Sequence, residues 1–184
     1  DAATEIAGAS KSFFFFFKSF FQPNITKRTN KAQLKAAKEQ IDFGCSVCDI
    51  LKIEDEEAKF LTNCDNIDEA VEILKNKYNI KLILSTAGSK GSIAYYKDLV
   101  IKQEAYLQDN TIDTTGAGDT FCGSCLGYII DNNIDELNEE KIKDMLSFAS
   151  AAASIVTTRK GAICSMPEIE EVERLRNKDC IYSL

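Results

Sequence analysis

The stretch from Asp113 to Asp119 reads DTTGAGD, and an apolar run from Thr120 to Ile130 follows it directly. The two glycines let the chain turn tightly, and the small residues lead into the start of a predicted helix. Such a turn directs several free N–H groups and the positive end of the helix dipole at one point. The sequence therefore predicts an anion-binding site at Gly116, Ala117 and Gly118.

Asp119 lies in the first turn of the same predicted helix. The helix dipole favours a carboxylate there, so Asp119 can accept a proton from a hydroxyl placed beside a bound anion. Donors for a transferring phosphoryl group and a base for its acceptor then share one turn. The residue types fit a second interpretation equally well, in which the Asp and Thr side chains only cap the helix.

Outward from this turn, strand patterns alternate with helix patterns. We predict helices at 30–44, 54–61, 65–78, about 118–131 and 139–157, and a last helix after Pro167. We predict strands at 49–53 and 81–84, and a hairpin at 92–103 that turns at Lys97 and Asp98. This alternation predicts an α/β fold with a largely parallel sheet covered by helices on both faces, built as a single domain over residues 1–184.

The N-terminal segment 1–20 is atypical. Residues 13–21 read FFFFFKSFF, which is too short for a membrane helix and is interrupted by Lys18. We predict a buried strand there, and the tail of a preceding helix at residues 1–12. The first ten residues lack the basic region of a signal peptide, which suggests a fragment or a processed chain.

Composition excludes several classes of function. The 184 residues include no His, so Ser-His-Asp and Cys-His nucleophiles and imidazole-bound zinc cannot occur. The 29 acidic residues outnumber the 22 basic ones, which argues against a nucleic-acid partner and favours a small soluble ligand. We expect no membrane partner.

The seven cysteines favour a reducing cytoplasm, because an odd count without a secretion signal does not fit a disulfide framework. Two pairs have C-x-x-C spacing, Cys45 with Cys48 and Cys122 with Cys125. Four such thiolates could form a structural zinc site. Buried, unreactive thiols are the preferred interpretation, since the pairs lie far apart and the second lies in an apolar helical run.

The DTTGAGD motif, followed by a helix with Phe121, Gly123 and Gly127, resembles the C-terminal signature of the ribokinase-like, or PfkB, carbohydrate kinases. The resemblance covers nearly everything after residue 20. Residues 82–96, LILSTAGSKGSIAYY, are similar to the family's strand and T-x-G-x-x-G loop. Residues 147–167 resemble the helix and turn around its adenine pocket, and 51–63 resemble the segment with an N-x-x-E pair.

The resemblance implies the C-terminal part of a three-layer ribokinase-like sandwich whose N-terminal half and lid are missing here. It implies an ATP-dependent kinase for a primary sugar hydroxyl, with fructose preferred and ribose or 2-keto-3-deoxygluconate as alternatives, and a homodimer in the full-length parent. It assigns ATP and Mg²⁺ to Thr86, Gly88, Gly91, Ser150 and Glu57. It assigns a monovalent cation such as K⁺ to Asp113, Thr115, Gly161 and Ser165. The sugar is assigned to Asn24 and Asp119, with Asp119 as base.

Four positions depart from the family pattern, and one of them is Ser150, which stands where a larger polar residue is frequent in the adenine-pocket helix. Glu54 stands where the N-x-x-E pair usually begins with Asn, and Gln22 and Thr26 replace the Asp and Arg of the D-P-N-x-R segment, with Lys27 and Arg28 nearby. These changes keep open an alternative function, a non-catalytic nucleotide-binding fragment or pseudokinase.

Overall fold

The computed structural model describes residues 13–15 and 31–181. Among these, the strands are β1 (Phe13–Phe15), β2 (Ile50–Glu54), β3 (Leu82–Thr86), β4 (Ser92–Tyr96) and β5 (Leu99–Gln103). The α-helices are α1 (Lys31–Val47), α2 (Asp55–Thr62), α3 (Ile67–Lys77), α4 (Ala117–Asn132), α5 (Glu139–Val156) and α6 (Ile169–Ile181). The expectations for residues 1–12, for 16–21 and for Gln22 to Arg28, including Asn24, lie outside the described residues.

The strands form a sheet in the order β1-β2-β3-β4-β5. Strands β1 and β2 run parallel, with Phe13 opposite Ile50 and Phe15 opposite Lys52. Strands β4 and β5 are neighbours joined by only Lys97 and Asp98, so they form the predicted hairpin and run antiparallel. The sheet is therefore mixed, and the predicted α/β class is confirmed.

The chain divides into two compact units. The first holds the described residues up to Ser85 together with Tyr95–Asp98, and the second holds Thr86–Ala94 and the residues from Leu99 onward. The core of the first unit consists of buried apolar side chains of β2, β3, α2 and α3, which include Leu51, Ile53, Ala58, Val71, Leu82, Ile83 and Leu84. Four successive buried residues on β3, from Leu82 to Ser85, indicate a strand that is covered on both faces.

Side-chain caps set the helix starts in the first unit. The Asn66 side chain accepts hydrogen bonds from the N–H groups of Asp68 at 2.9 Å and Glu69 at 3.2 Å, and so begins α3. The predicted stop of α1 at Gly44 is wrong, because the helix continues to Val47. The continuation buries Cys45, and this burial outweighs the weak helix propensity of one glycine.

In the second unit, α4 packs against α5 through buried apolar side chains, which include Phe121, Cys125 and Ile129 on α4 and Ile142, Met145 and Leu146 on α5. Helix α6 packs on α5 through Val172, which lies in a buried cluster with Ala151 and Ala152. Asn138 caps α5 by accepting a hydrogen bond from the N–H of Lys141 at 2.9 Å. None of the helices in the described ranges has the length and apolar character that a bilayer span requires.

Candidate functional site

Helix α4 begins without a side-chain cap. Its N-cap residue is Gly116, whose φ of 84° lies in the left-handed region. The N–H of Thr120 donates to the carbonyl of Gly116 at 2.8 Å, whereas the N–H groups of Gly118 and Asp119 have no acceptor among the described residues. The interpretation of this segment as a side-chain-capped helix is therefore wrong, and open donors remain at the positive end of the dipole.

A close backbone approach fixes the turn that precedes α4, which we call the Gly116 turn (residues 113–118). A Cβ atom added to Gly116 would lie 2.9 Å from the Cβ of Ala162 and 3.0 Å from its Cα. Only glycine fits here, because the positive φ and the contact both exclude a side chain. The Gly116 turn thus packs against a second turn, the Gly161 turn (residues 161–165).

The carboxylate of Asp113 joins the two turns. It accepts hydrogen bonds from the N–H of Thr115 at 2.9 Å and from the N–H of Gly161 at 3.2 Å. The N–H and side chain of Thr115, and then the N–H of Gly161, hold the pKa of Asp113 below its usual range. The carbonyl of Thr157, at the end of α5, accepts from the N–H groups of Ile112 and Asp113. Asp113 is thereby kept ionised and fixed in position.

Ser165 completes the set assigned to a monovalent cation. Its side chain is fully buried, and its hydroxyl lies 2.5 Å from the carbonyl of Gly161 and 2.7 Å from that of Ala162. The structure therefore brings Asp113, Thr115, Gly161 and Ser165 together. One carboxylate among neutral oxygens suits a hard cation of low charge, although the Ser165 hydroxyl itself is engaged in holding its own turn.

Asp119 is exposed at the start of α4. No hydrogen bond or ion pair joins its carboxylate to another residue in the described part of the chain. Its oxygen atoms are therefore free to accept a hydrogen bond from a ligand hydroxyl placed beside the open N–H groups.

The predicted T-x-G-x-x-G loop also lies in the second unit. Thr86 ends β3, and Gly91 has a φ of 95°, where an added Cβ would lie 2.1 Å from the carbonyl oxygen of Gln103. Gly88 has a φ of 57°. The hydroxyl of Ser92, which follows Gly91, lies 3.4 Å from that of Ser150 on α5. The structure therefore places Ser150 against the residue that follows this loop.

Glu57 lies in the first unit, where it is buried. Its carboxylate accepts from the N–H of Glu54 at 2.8 Å, and the two residues form a reciprocal capping box at the start of α2. Sequence reasoning missed Lys52, whose buried Nζ lies 3.5 Å from Oε1 of Glu54. The sequence does contain a signal for this pair, because Lys52 and Glu54 are two residues apart on a strand and side chains at that spacing lie on the same face. Lys52 offsets the charge that Glu54 introduces.

The C-x-x-C thiols are buried rather than exposed as ligands. Burial raises the pKa of Cys45 to about 12 and that of Cys48 to about 11, and it also raises the pKa of Cys125. In the described residues, no three His, Cys, Asp or Glu side chains cluster as a metal site. The geometry favours the unreactive interpretation over a zinc module.

Comparison with known proteins gives a family match. The family described as "pfkB family carbohydrate kinase" matches residues 13–169. Probable fructokinase-4 of Arabidopsis thaliana is 37% identical over 127 residues, which are 69% of this chain and 39% of that protein. The chain spans 39%, 40% and 56% of the length of three fructokinase relatives from that plant.

Solved structures share the fold. A fructokinase from Vibrio cholerae O395, in fructose, ADP and calcium ion bound form, matches with a TM-score of 0.71 at 25% identity, over 83% of this chain and 48% of that one. The Arabidopsis thaliana ribokinase complexed with ribose and ATP matches with a TM-score of 0.63 at 31% identity, over 73% of this chain and 43% of that one.

Proposed function

Because the chain belongs to the pfkB family of carbohydrate kinases, we propose that it transfers the γ-phosphoryl group of ATP to a primary hydroxyl of a sugar. The observation that carries this proposal is the uncapped start of α4, where the N–H groups of Gly118 and Asp119 are open beside an exposed carboxylate. Donors for an anion and an acceptor for a proton occur within one helical turn, as phosphoryl transfer to an alcohol requires.

In this mechanism the Gly116 turn and the first residues of α4 bind the phosphoryl group. The sugar oxygen attacks the γ-phosphorus, the bond to the β–γ bridging oxygen breaks, and ADP leaves. Fixed N–H groups stabilise the charge on the transferring phosphoryl group without having to reorganise. The close contact between Gly116 and Ala162 helps to hold these N–H groups in place.

Asp119 serves as the base. It takes the proton of the attacking hydroxyl from its place in the first turn of α4, beside the open N–H groups. Its exposure and its lack of a described partner leave it able to meet the substrate.

The nucleotide is assigned to Thr86, Gly88, Gly91 and Ser150, with Glu57 acting on magnesium indirectly. Bound Mg²⁺ would neutralise phosphate charge. The paired turns around Asp113 fit a monovalent cation such as K⁺, since a carboxylate kept ionised lies among neutral oxygens there.

Fructose is the preferred acceptor. The proposal draws on the similarity to proteins named as fructokinases and on the fructose-bound structure from Vibrio cholerae. Ribose is the second candidate, because a ribose-bound ribokinase matches at 31% identity. Asn24, assigned to the sugar, lies outside the described residues.

We place the protein in the cytoplasm, without nucleic-acid or membrane partners. Six cysteines are free thiols, namely Cys45, Cys48, Cys64, Cys122, Cys125 and Cys164, which supports a reducing compartment. A homodimer is proposed for the full-length parent.

The test is coupled ATP turnover with fructose and with ribose, in the presence of Mg²⁺ and K⁺. It is applied to the native 184-residue chain, to the full-length parent and to the full-length parent with Asp119→Asn. We expect a loss of about 10³-fold or more in turnover, the scale of a general base, with ATP affinity nearly unchanged. Asp131→Asn, at the other end of α4, is the control and should retain turnover.

Normal turnover of Asp119→Asn would remove Asp119 from the role of base. If the native chain binds ATP but phosphorylates neither sugar, it is the nucleotide-binding half of a kinase. Nucleotide binding without phosphoryl transfer after the missing half is restored would favour the non-catalytic alternative.

A further inference from the structure

The Gly161 turn bounds the Gly116 turn on one side. The N–H of Gly161 donates to the carboxylate of Asp113, and Ala162 lies against Gly116 so closely that no side chain fits between them. A displacement of the Gly161 turn would therefore move the backbone that carries the open N–H groups. What holds the Gly161 turn in place decides the geometry of the anion site.

The side chain of Arg159 connects this turn to Glu171 on α6. Its own backbone N–H donates to the carbonyl of Val156 at 3.1 Å, so the residue is anchored to the end of α5. One guanidinium nitrogen donates to the carbonyl of Ser165 in a long contact of 3.5 Å, and another pairs with the carboxylate of Glu171 at 2.5 Å. Both side chains of this ion pair are half-buried.

Glu171 is itself fixed. Its second oxygen accepts from the N–H of Glu168 at 2.9 Å, where α6 begins. The next residue, Val172, is buried in the cluster with Ala151 and Ala152 on α5. Arg159 therefore connects a packed helix to the Gly161 turn.

We propose that Arg159 is a positioning residue, which holds the Gly161 turn and, through it, the phosphate-binding geometry of the Gly116 turn. The expected effect of Arg159 on catalysis rests on the proposed function, whereas its effect on the position of the Gly161 turn does not. Arg159 needs no contact with the nucleotide, because Gly161 and Ala162 transmit its position to Asp113 and Gly116.

The planar guanidinium suits this role because its N–H groups can donate to two acceptors that lie in different directions. A lysine would keep the charge opposite Glu171 but offers a single nitrogen. We therefore expect Arg159→Lys to retain part of the effect and Arg159→Met to remove it.

The first test compares amide signals of the 184-residue chain by NMR for the native sequence, Arg159→Met, Arg159→Lys and Glu171→Gln. We expect the signals of Gly116, Gly118 and Gly161 to shift in Arg159→Met, and to shift less in Arg159→Lys. Lys143→Met, which breaks an exposed ion pair of 2.5 Å with Glu139 on α5, is the control and should leave these three signals in place.

The second test measures turnover. Arg159→Met should lower kcat by about tenfold, within the range that misplaced reacting groups cost, while the KM for ATP changes by less than about threefold, because a transition-state interaction is affected. Arg159→Lys should recover part of the loss. A purely structural role would lower the yield of folded protein without this split between kcat and KM.

Unmoved signals at Gly116, Gly118 and Gly161 in Arg159→Met would overturn the inference. If that variant fails to fold, Glu171→Gln, which keeps the side-chain shape, gives the same readout. If the native chain shows no turnover, the kinetic test does not apply, and the amide signals alone decide whether Arg159 positions the turn.

Discussion

The carboxylate of Asp113 accepts a hydrogen bond from the N–H of Gly161 at 3.2 Å, although 48 residues separate the two in the chain. The same carboxylate accepts from the N–H of Thr115, within its own turn. One ionised side chain therefore ties the start of the anion site to the end of α5 and makes the arrangement sensitive to protonation.

Acid should weaken this connection. Since the pKa of Asp113 is lowered in the folded chain, its stabilising contribution is present above about pH 4, the ordinary value for Asp, and is lost as pH falls through the lower folded value. We expect Asp113→Asn to be less stable than the native chain at neutral pH and to differ less from it in acid. Thermal unfolding followed by circular dichroism against pH measures this.

Asp109→Asn serves as the control for loss of an exposed carboxylate. Parallel pH curves for the native chain and Asp113→Asn would contradict the prediction.

Gly116→Ala should destabilise the chain. The left-handed φ costs a non-glycine residue about 1–2 kcal/mol, and the Cβ would also meet Ala162 at 2.9 Å. The matched change Gly123→Ala, inside α4 with no atom within 4 Å of the added Cβ, should instead raise the free energy of unfolding by up to about 1 kcal/mol. Urea unfolding of both variants distinguishes them, and equal effects would refute the argument.

Lys52→Met should destabilise the chain by about 1–3 kcal/mol, because it removes a buried positive charge from beside the Glu54 carboxylate. Glu54 is partly exposed, so the loss should be smaller than for a fully buried ion pair. The double variant Lys52→Met with Glu54→Gln should recover most of the loss. Lys59→Met, which breaks a more exposed pair with Glu56, should change stability by less than about 1 kcal/mol. A double variant as unstable as Lys52→Met would argue against the pairing.

Thr120→Val should be neutral or stabilising. The hydroxyl of Thr120 is buried without a hydrogen-bond partner in the described residues, and such a group costs about 1–3 kcal/mol. Valine keeps the shape and removes the polar atom. Thr62→Val, whose native hydroxyl donates to the carbonyl of Ala58 at 2.8 Å, should lose about 1 kcal/mol. Calorimetry of the two variants tests the contrast, and a clear loss in Thr120→Val would show that its hydroxyl has a partner.

Local patterns predict most of the elements. The hairpin turn at Lys97 and Asp98 and the starts of α4 and α5 follow from turn and cap residues close in sequence. The end of α1 does not, because burial of Cys45 overrides the local signal of Gly44.

The site is predictable only in part. Of the donors predicted at Gly116 to Gly118, the N–H of Ala117 donates to the carbonyl of Thr114 at 3.3 Å, and the open donors are those of Gly118 and Asp119. The contact of Gly116 with Ala162 and the ion pair of Arg159 with Glu171 depend on packing. No spacing rule connects such residues, since they meet only after α4, α5 and α6 have packed. Lys52 could have been found from its spacing to Glu54.

The carbonyl of Thr157 that receives two N–H groups, from Ile112 and Asp113, belongs to the main chain. A change of the Thr157 side chain removes the hydroxyl that donates to the carbonyl of Ser154 at 2.7 Å, but it leaves the Thr157 carbonyl in place. Replacing the Thr157–Thr158 amide by an ester would weaken that carbonyl as a hydrogen-bond acceptor. The resulting loss of stability would show how far the fold depends on this carbonyl, which side-chain substitutions cannot test.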